Sequence, residues 1–462
     1  MKKSLGIKDE CKDSTIKDKR IRKRLEKTAE HLSRYPECTI PQACESYADI
    51  KGVYRMFDNE KVTADGILSG HREMTKKRIA KLDIVLLVQD TTSLNYTSHR
   101  SVEGIGAVGT NPGSRGILLH STLALTKEGV PLGIMDQKYW TRPIEERGKK
   151  HRRKELKTEE KESYRWIEAL ERSTEGIAEE TIAVTIADRE ADIYDLFKRS
   201  RELKRDILVR AVGSRHVSSE EKVLLKRMEA CTSSGRISVT IPRSADEKKG
   251  ERNATLEVKY CEVEIVKPAR RIKEKEMGLS GISLYAIYAN EIECEADEEP
   301  IQWLLLTSLP ITCLAEAIEK IEWYRHRWRI ERFHYVLKSG CGVEELQLET
   351  VGRLQNAIAL YSIIAWWLLW ITYENRLHPD ASCTVVLEKH EWQTLWGMVH
   401  QNTNFPKEAP SLQEAVRMIA RLGGFIGRKN DGNPGTKVLW RGLRRLYDVA
   451  SFWSLINPQR CG

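Results

Sequence analysis

Two aspartates in this 462-residue chain stand where carboxylates can do chemistry. Asp90 closes the apolar run IVLLVQD (84–90), and Asp188 closes a second run, TIAVTIAD (181–188). A short, wholly apolar run reads as a strand buried on both faces of a sheet. Open α/β sheets carry their sites at the carboxyl ends of such strands. A single acid there often does no more than cap the next turn. Two in one sheet point to a divalent metal, because hard cations such as magnesium take carboxylate oxygens.

A third group lies far downstream in WYRHRWRIERFHYVLKSG (323–340). At about 100° per residue on one continuous helix, Tyr324, Arg327, Glu331 and Lys338 fall within an arc of about 60°. Ile330, Phe333 and Leu337 lie on the opposite side and can bury in a core. The helix then presents a hydroxyl, a guanidinium, a carboxylate and an ammonium in line. Taken alone, such a face is a solvated one with i,i+4 ion pairs, for instance Arg327 with Glu331.

The elements that must position these groups follow from periodicity. Residues 1–75 read as short helices, the basic one being IKDKRIRKRLEKTAEHLSRY. Lys17, Lys19, Arg20, Arg22, Lys23, Arg24 and Lys27 make it strongly one-signed, which suits phosphate contacts better than an ordinary solvated face. After the strand ending in Asp90, GILLHSTLALT and VPLGIMDQKYW read as a hairpin turning at Lys127-Glu128-Gly129. A charged helix over about 157–178, the Asp188 strand, a helix over 190–203 and the strand DILVRAV (206–212) complete an α/β layer with a mixed sheet. Four β-type runs between about 213 and 310 then read as an all-β insertion. Helices resume at Thr312, and the last 80 residues are mostly helical with a Gly- and Asn-rich loop at 423–435.

Composition narrows the class. With 40% hydrophobic and 31% charged residues the chain reads as soluble and globular. A net charge of +9 leans toward a polyanionic partner. Ten cysteines occur with no CxxC pair, so neither a zinc ribbon nor a thioredoxin-like site is supported, and free thiols in a reducing cytoplasm are expected. The first 30 residues are too charged for a signal peptide. The apolar run AIALYSIIAWWLLWITY (357–373) is short of the about 20 residues a membrane helix needs, and reads as a helix buried in a core.

The spacing Tyr324-x2-Arg327-x3-Glu331-x6-Lys338 resembles the Tyr-Arg-Glu-Lys signature of the insertion-sequence-four family of bacterial cut-and-paste DDE transposases. Three stretches agree: QDTTSLNY around Asp90, ADREADIYDLF around Asp188, and IQWLLLTSLP (301–310). IARLGGF (419–425) is similar to that family's carboxy-terminal domain. Nearly the whole chain is covered in order. Residues 1–75 match less closely, through Asp18-Lys19-Arg20 and Tyr54-Arg55-Met56-Phe57.

The resemblance implies an α/β chain with a ribonuclease-H-like catalytic domain over 76–378, carrying the all-β insertion. A helical DNA-binding domain over 1–75 and a helical dimerisation domain over 379–462 would flank it. Asp90, Asp188 and Glu331 would bind two Mg2+ (or Mn2+) ions, one activating a water or a DNA 3′-hydroxyl and the other stabilising the leaving oxygen. Tyr324, Arg327 and Lys338, with Arg210, would contact DNA, as would Lys19, Arg20, Arg22 and Arg24 at the amino end. In the members it most resembles a hairpin intermediate forms. Trp303 matches the position that stacks on a flipped base, and Trp328 the neighbouring wedge; read alone, Trp303 could equally be a core aromatic of its strand. Tyr335 stands where close members carry a DNA-contacting Lys. The expected partners are terminal inverted repeats, target DNA and a second copy in a synaptic complex, in a bacterial cytoplasm. The rivals are an inhibitory or domesticated DNA-binding protein, and a ribonuclease-H-like nuclease without strand transfer.

Overall fold

A computed structural model describes residues 6–146, 158–241, 252–267, 281–294, 298–428 and 431–456. The chain folds into two compact units, one made of 1–81, 91–150 and 329–462, the other of 82–90 and 151–328. The strands in chain order are β1 (Ile84–Asn95), β2 (Gly106–Ala107), β3 (Arg115–Leu125), β4 (Pro131–Trp140), β5 (Ile182–Ala187), β6 (Asp206–Arg210), β7 (Gly235–Ile241), β8 (Arg252–Ile265), β9 (Ile282–Ile292) and β10 (Gln302–Thr307). Mixed α/β architecture and helical ends agree with the sequence reading, and the fold is ribonuclease-H-like.

In the second unit the apolar runs become central strands. β1 pairs with β5 in parallel, Ile84 opposite Ile182 through Val88 opposite Ile186, and β5 pairs in parallel with β6. Val85 to Val88, Val184 and Ile186 are fully buried or nearly so, as strands covered on both faces require. The helices Arg165–Thr174 and Tyr194–Glu202 cover the neighbouring strands, with Trp166, Leu170, Leu196 and Phe197 clustered against Ala187, Ile207, Val209 and Leu306. The first of these is shorter than the expected 157–178. Residue 157 lies outside the described residues, two 3-10 turns precede Arg165, and Gly176 at φ +75 follows the helix end.

The expected β insertion is present, but it builds no sheet of its own. β10 pairs antiparallel with β6, then with β9, and β8 and β7 follow antiparallel in turn. Parts of its loops, 242–251, 268–280 and 295–297, lie outside the described residues. A helix, Leu224–Ala230, buries Leu224 and Met228 in the same apolar cluster as Val263 and Ala286.

In the first unit the helix Val351–Leu377 contains the apolar run, and nearly all of that run is buried. It is long and apolar enough to cross a membrane, yet 89% of its most apolar window is covered by protein. Trp366 Nε1 donates to the Pro131 carbonyl at 3.1 Å, and Asn356 Nδ2 donates to the Phe57 and Val62 carbonyls at 3.0 Å each. This helix thereby ties the β3–β4 hairpin and the amino-terminal helices to one core.

A buried ion network locks the same core. Glu10 takes a bidentate hydrogen bond from Arg78 at 2.8 and 3.0 Å and lies 2.5 Å from His71 Nδ1. His71 Nε2 accepts from the Ile134 amide at 2.9 Å, so Nδ1 carries the proton. Burial raises the Glu10 pKa, but His71 and Arg78 outweigh it and hold the carboxyl at about 2. Burial lowers that of His71, against the pull of Glu10. The unfolded chain therefore takes up the imidazole proton first, at a pKa of about 6.5. The stability supplied by the neutral ring is complete above that pH and declines as pH falls below it. Denaturant midpoints measured from pH 7.5 down to 5 are expected to fall, and His71→Gln to flatten the fall. An unchanged slope in that variant would remove His71 as its source.

The segment 323–340 departs from expectation. It is not one helix but a helix Leu314–Arg325, a turn at His326 and Arg327, a helix Trp328–Tyr335 and a π turn Val336–Gly340. The reason is burial on two sides. Tyr324 is buried, as are Ile330, Phe333 and Leu337, which a straight helix would place on the face opposite to it. Breaking the helix lets both sets bury.

Candidate active site

In the second unit, the parallel register between β1 and β5 carries a constant offset, Ile84 to Ile182 and Val88 to Ile186. Extended by two residues it brings Asp90 level with Asp188. Adjacent strands lie about 4.8 Å apart, and residues level with each other point to the same face. Both carboxylates are half-buried. Asp188 also caps the 3-10 turn that follows, its Oδ1 accepting from the Glu190 amide at 2.9 Å. Capping engages one of about four acceptor sites on a carboxylate, so it does not prevent the group from holding a cation. Asp188 follows the end of β5 as expected, but Asp90 does not close its strand, since β1 continues past the apolar run to Asn95. Two hard oxygen ligands side by side on neighbouring strands fit a divalent metal.

Glu331 belongs to the first unit, on the helix Trp328–Tyr335, where it is half-buried and flanked by the fully buried anchors Ile330 and Phe333. Among the described residues no group of three His, Cys, Asp or Glu forms a ready metal cluster. Lys338 is half-buried in the π turn. Tyr335 packs its ring 6.3 Å from Trp440 with the Arg332 guanidinium over it, an aromatic role in place of a lysine's.

The remaining second-unit residues assemble around the strand ends. Arg210 ends β6 and donates to the Gln302 carbonyl at 2.9 Å. The pKa of Tyr324 is raised, by burial first, while Arg327 and Arg210 pull it down and Asp188 pushes it up. That pattern sets the phenol among two guanidinium groups and the second aspartate. Trp303, on β10, is half-buried with its ring edge-on to Tyr324 at 6.2 Å. Trp328 is 55% exposed, and Arg327 lies over its ring at 4.8 Å.

Sequence reasoning passed over the support beneath Asp188. Asp192 ends the same turn, and its Oδ2 accepts from the Val212 amide at 2.8 Å while Arg215 clamps its Oδ1 and carbonyl oxygen. Val212 lies two residues after Arg210, so one carboxylate fixes both strand ends. The signal was present as the second aspartate of ADREAD, but its partner was not adjacent in sequence. Asp192→Ala is expected to lower metal-dependent DNA cleavage roughly 10–100-fold, the size of effects from ligand-supporting residues. It is also expected to raise the half-saturating metal concentration with DNA binding retained. Cleavage measured across a magnesium series checks it, and an unchanged metal dependence would reduce Asp192 to a folding role.

At the amino end Asp18 caps the helix Lys19–Arg34, accepting from the Arg20 amide at 2.8 Å. Lys19 and Arg20 are exposed and Arg22 is half-buried. Arg24 differs: with Lys27 it is ion-paired to Asp49, at 3.1 and 2.6 Å. Hydrogen bonds from Lys27 and Ser46 hold the Asp49 carboxyl at about 2. Arg24 thus braces this helix against the helix Tyr47–Phe57.

Comparison with known proteins gives three family matches along the chain. Residues 6–62 match the transposase DNA-binding family, 140–368 the transposase DDE domain, and 363–454 the transposase Tn5 dimerisation domain. Among solved structures, the cryo-EM structure of a piggyBac transposase synaptic complex with hairpin DNA is similar at 10% identity and a TM-score of 0.34. The match covers 84% of this chain and 60% of that one, so this chain spans less than two thirds of the other's length.

Proposed function

The chain belongs to the DDE transposases, and from that membership we propose that it binds transposon terminal inverted repeats, excises the element through a hairpin, and joins its 3′ ends to target DNA. The observation that carries this reading is the parallel register of β1 with β5, which, continued two residues beyond Val88 and Ile186, puts Asp90 level with Asp188. Glu331, in the family's signature spacing, supplies the third carboxylate. Two magnesium or manganese ions held by these three residues would supply activation of a water or 3′-hydroxyl and stabilisation of the leaving oxygen.

The protein's own part is to bind and orient. Arg327, Arg210 and Lys338 hold phosphates, Arg as a bidentate donor and Lys as a point charge. Tyr324, buried between guanidinium groups, adds a hydroxyl. Trp303 and Trp328 receive the extruded base. The carboxy-terminal region 379–462 supports pairing of two copies in a synaptic complex, each cutting the end held mainly by the other. Such a protein works on chromosomal or plasmid DNA in a bacterial cytoplasm.

Incubating the protein with magnesium and DNA that carries the flanking inverted repeats tests the proposal. Nicked, hairpin and joined products are expected. Binding without cutting would favour an inhibitory DNA-binding protein, and cutting without joining a nuclease. In the same system, replacing Lys19 and Arg20 together is expected to flatten the salt dependence of end binding, by about one unit of log–log slope per lost phosphate contact. Arg24→Ala is expected to act through stability instead, since Asp49 holds that side chain. An unchanged slope in the double variant would return the amino-terminal helix to a merely solvated face.

A further inference from the structure

The helix that carries Glu331 keeps its regular form for only eight residues, Trp328–Tyr335. A turn at His326 and Arg327 precedes it and the π turn Val336–Gly340 follows. That break keeps the longer helix Leu314–Arg325 from fixing its rotation. Ile330 and Phe333 are fully buried and set its depth, but apolar contact is not directional. Arg329 supplies direction. Its Nη1 donates to the Tyr373 hydroxyl at 2.8 Å, and its guanidinium lies 4.0 Å from the centre of the Tyr373 ring. Tyr373 is only 8% exposed on the core helix Val351–Leu377, so the ring is held by its surroundings. Arg376, about one turn further along that helix, lies 4.9 Å from the same ring centre.

We propose that Tyr373 is a positioning residue for Glu331, acting through Arg329 to hold the carboxylate at the rotation in which it ligates a divalent cation. The inference rests on the reading of Glu331 as a metal ligand. At about 100° per residue, Arg329 and Glu331 stand about 200° apart, on nearly opposite sides of one helix. A tether on one side therefore aims the other. Ligating groups must be held within about 0.5 Å and 10–20° of their working geometry, a tolerance that two apolar anchors do not enforce. A hydrogen bond enforces it better, because it weakens steeply off its line. The guanidinium stacked on an aromatic face restrains the plane as well. Arg329 is also the residue at which the chain enters the first unit's last segment, 329–462, and Tyr373 and Glu331 belong to that segment. The contact thus fixes the start of the segment that presents the third carboxylate.

Manganese binding to the full-length chain, read by electron paramagnetic resonance, tests the proposal without cleavage. Glu331→Ala is expected to weaken binding, which identifies the component at issue. Tyr373→Leu is expected to lower that affinity roughly tenfold, and Tyr373→Phe, which keeps the ring and loses the hydroxyl, to retain most of it. Arg329→Gln is expected to match Tyr373→Leu, and the two together to cost no more than either alone, because they break one contact. Arg376→Ala, which removes the other cation beside the ring, is expected to leave affinity unchanged. Amide exchange over Trp328–Tyr335 is expected to quicken in Tyr373→Leu. A purely structural role would lower the Tm without moving manganese affinity. Affinity weakened by Glu331→Ala but unmoved by Tyr373→Leu and Arg329→Gln would overturn this inference alone. Affinity unmoved by Glu331→Ala would overturn the ligand reading and the inference with it. Should Tyr373→Leu not fold by circular dichroism, Arg329→Gln decides by the same criterion.

Discussion

Asp90→Ala, Asp188→Ala and Glu331→Ala are each expected to reduce metal-dependent strand cleavage by more than about 10³-fold, equivalent to at least about 4 kcal/mol of barrier. The loss is large because each carboxylate would hold a cation where charge develops in the transition state. Binding to the transposon end is expected to survive, since DNA affinity rests on the basic side chains rather than on these acids. Asp188 needs a separate control, because it also caps the turn after β5. Asp188→Asn keeps a capping oxygen and removes the charge, so its expected outcome is lost cleavage with near-normal stability. Cleavage and gel-shift assays on the same preparations separate the two roles. Any of the three alanine variants that nicks at close to the normal rate with magnesium is not a ligand, and the proposed function would lose its chemical centre.

The second large effect concerns hairpin closure. A new 3′-hydroxyl reaches the opposite strand only if a base leaves the stack, at a cost of a few kcal/mol. Stacking on an aromatic platform is worth roughly 1–3 kcal/mol per base, which corresponds to roughly 5–150-fold in rate. Trp303→Ala is therefore expected to nick at close to the normal rate, accumulate nicked DNA and form hairpin slowly by that factor. Trp303→Phe is expected to recover much of the loss. A time course on end-labelled DNA resolved on denaturing gels reads both steps. Because Trp303 also meets Tyr324 edge-on, a purely packing role would lower nicking and hairpin formation together. That outcome would reject the base-flipping assignment.

The sequence alone was enough to read most of the strands, the hairpin and the core helix, and to single out the candidate acids. Strands covered on both faces leave apolar runs, so β1 and β5 were legible, and each run led to an aspartate proposed here as a metal ligand. The β3–β4 hairpin and the core helix Val351–Leu377 were legible too, because turn chemistry and run length are local properties. Partnership is not local. Only the tertiary structure decided that β10 joins the β block to β6 instead of letting it form a second sheet. It also decided the parallel register of β1 with β5, which, continued two residues, sets Asp90 level with Asp188, and that Arg24 is bound to Asp49. Helical periodicity assigned Tyr324 to a polar face, yet the chain breaks at His326 and Arg327 and buries it. A periodic pattern records which side of an element is apolar, not which neighbour covers it. The Asp192–Arg215 clamp arises from such neighbours, because side chains distant in sequence meet only where packing and strand register bring them together.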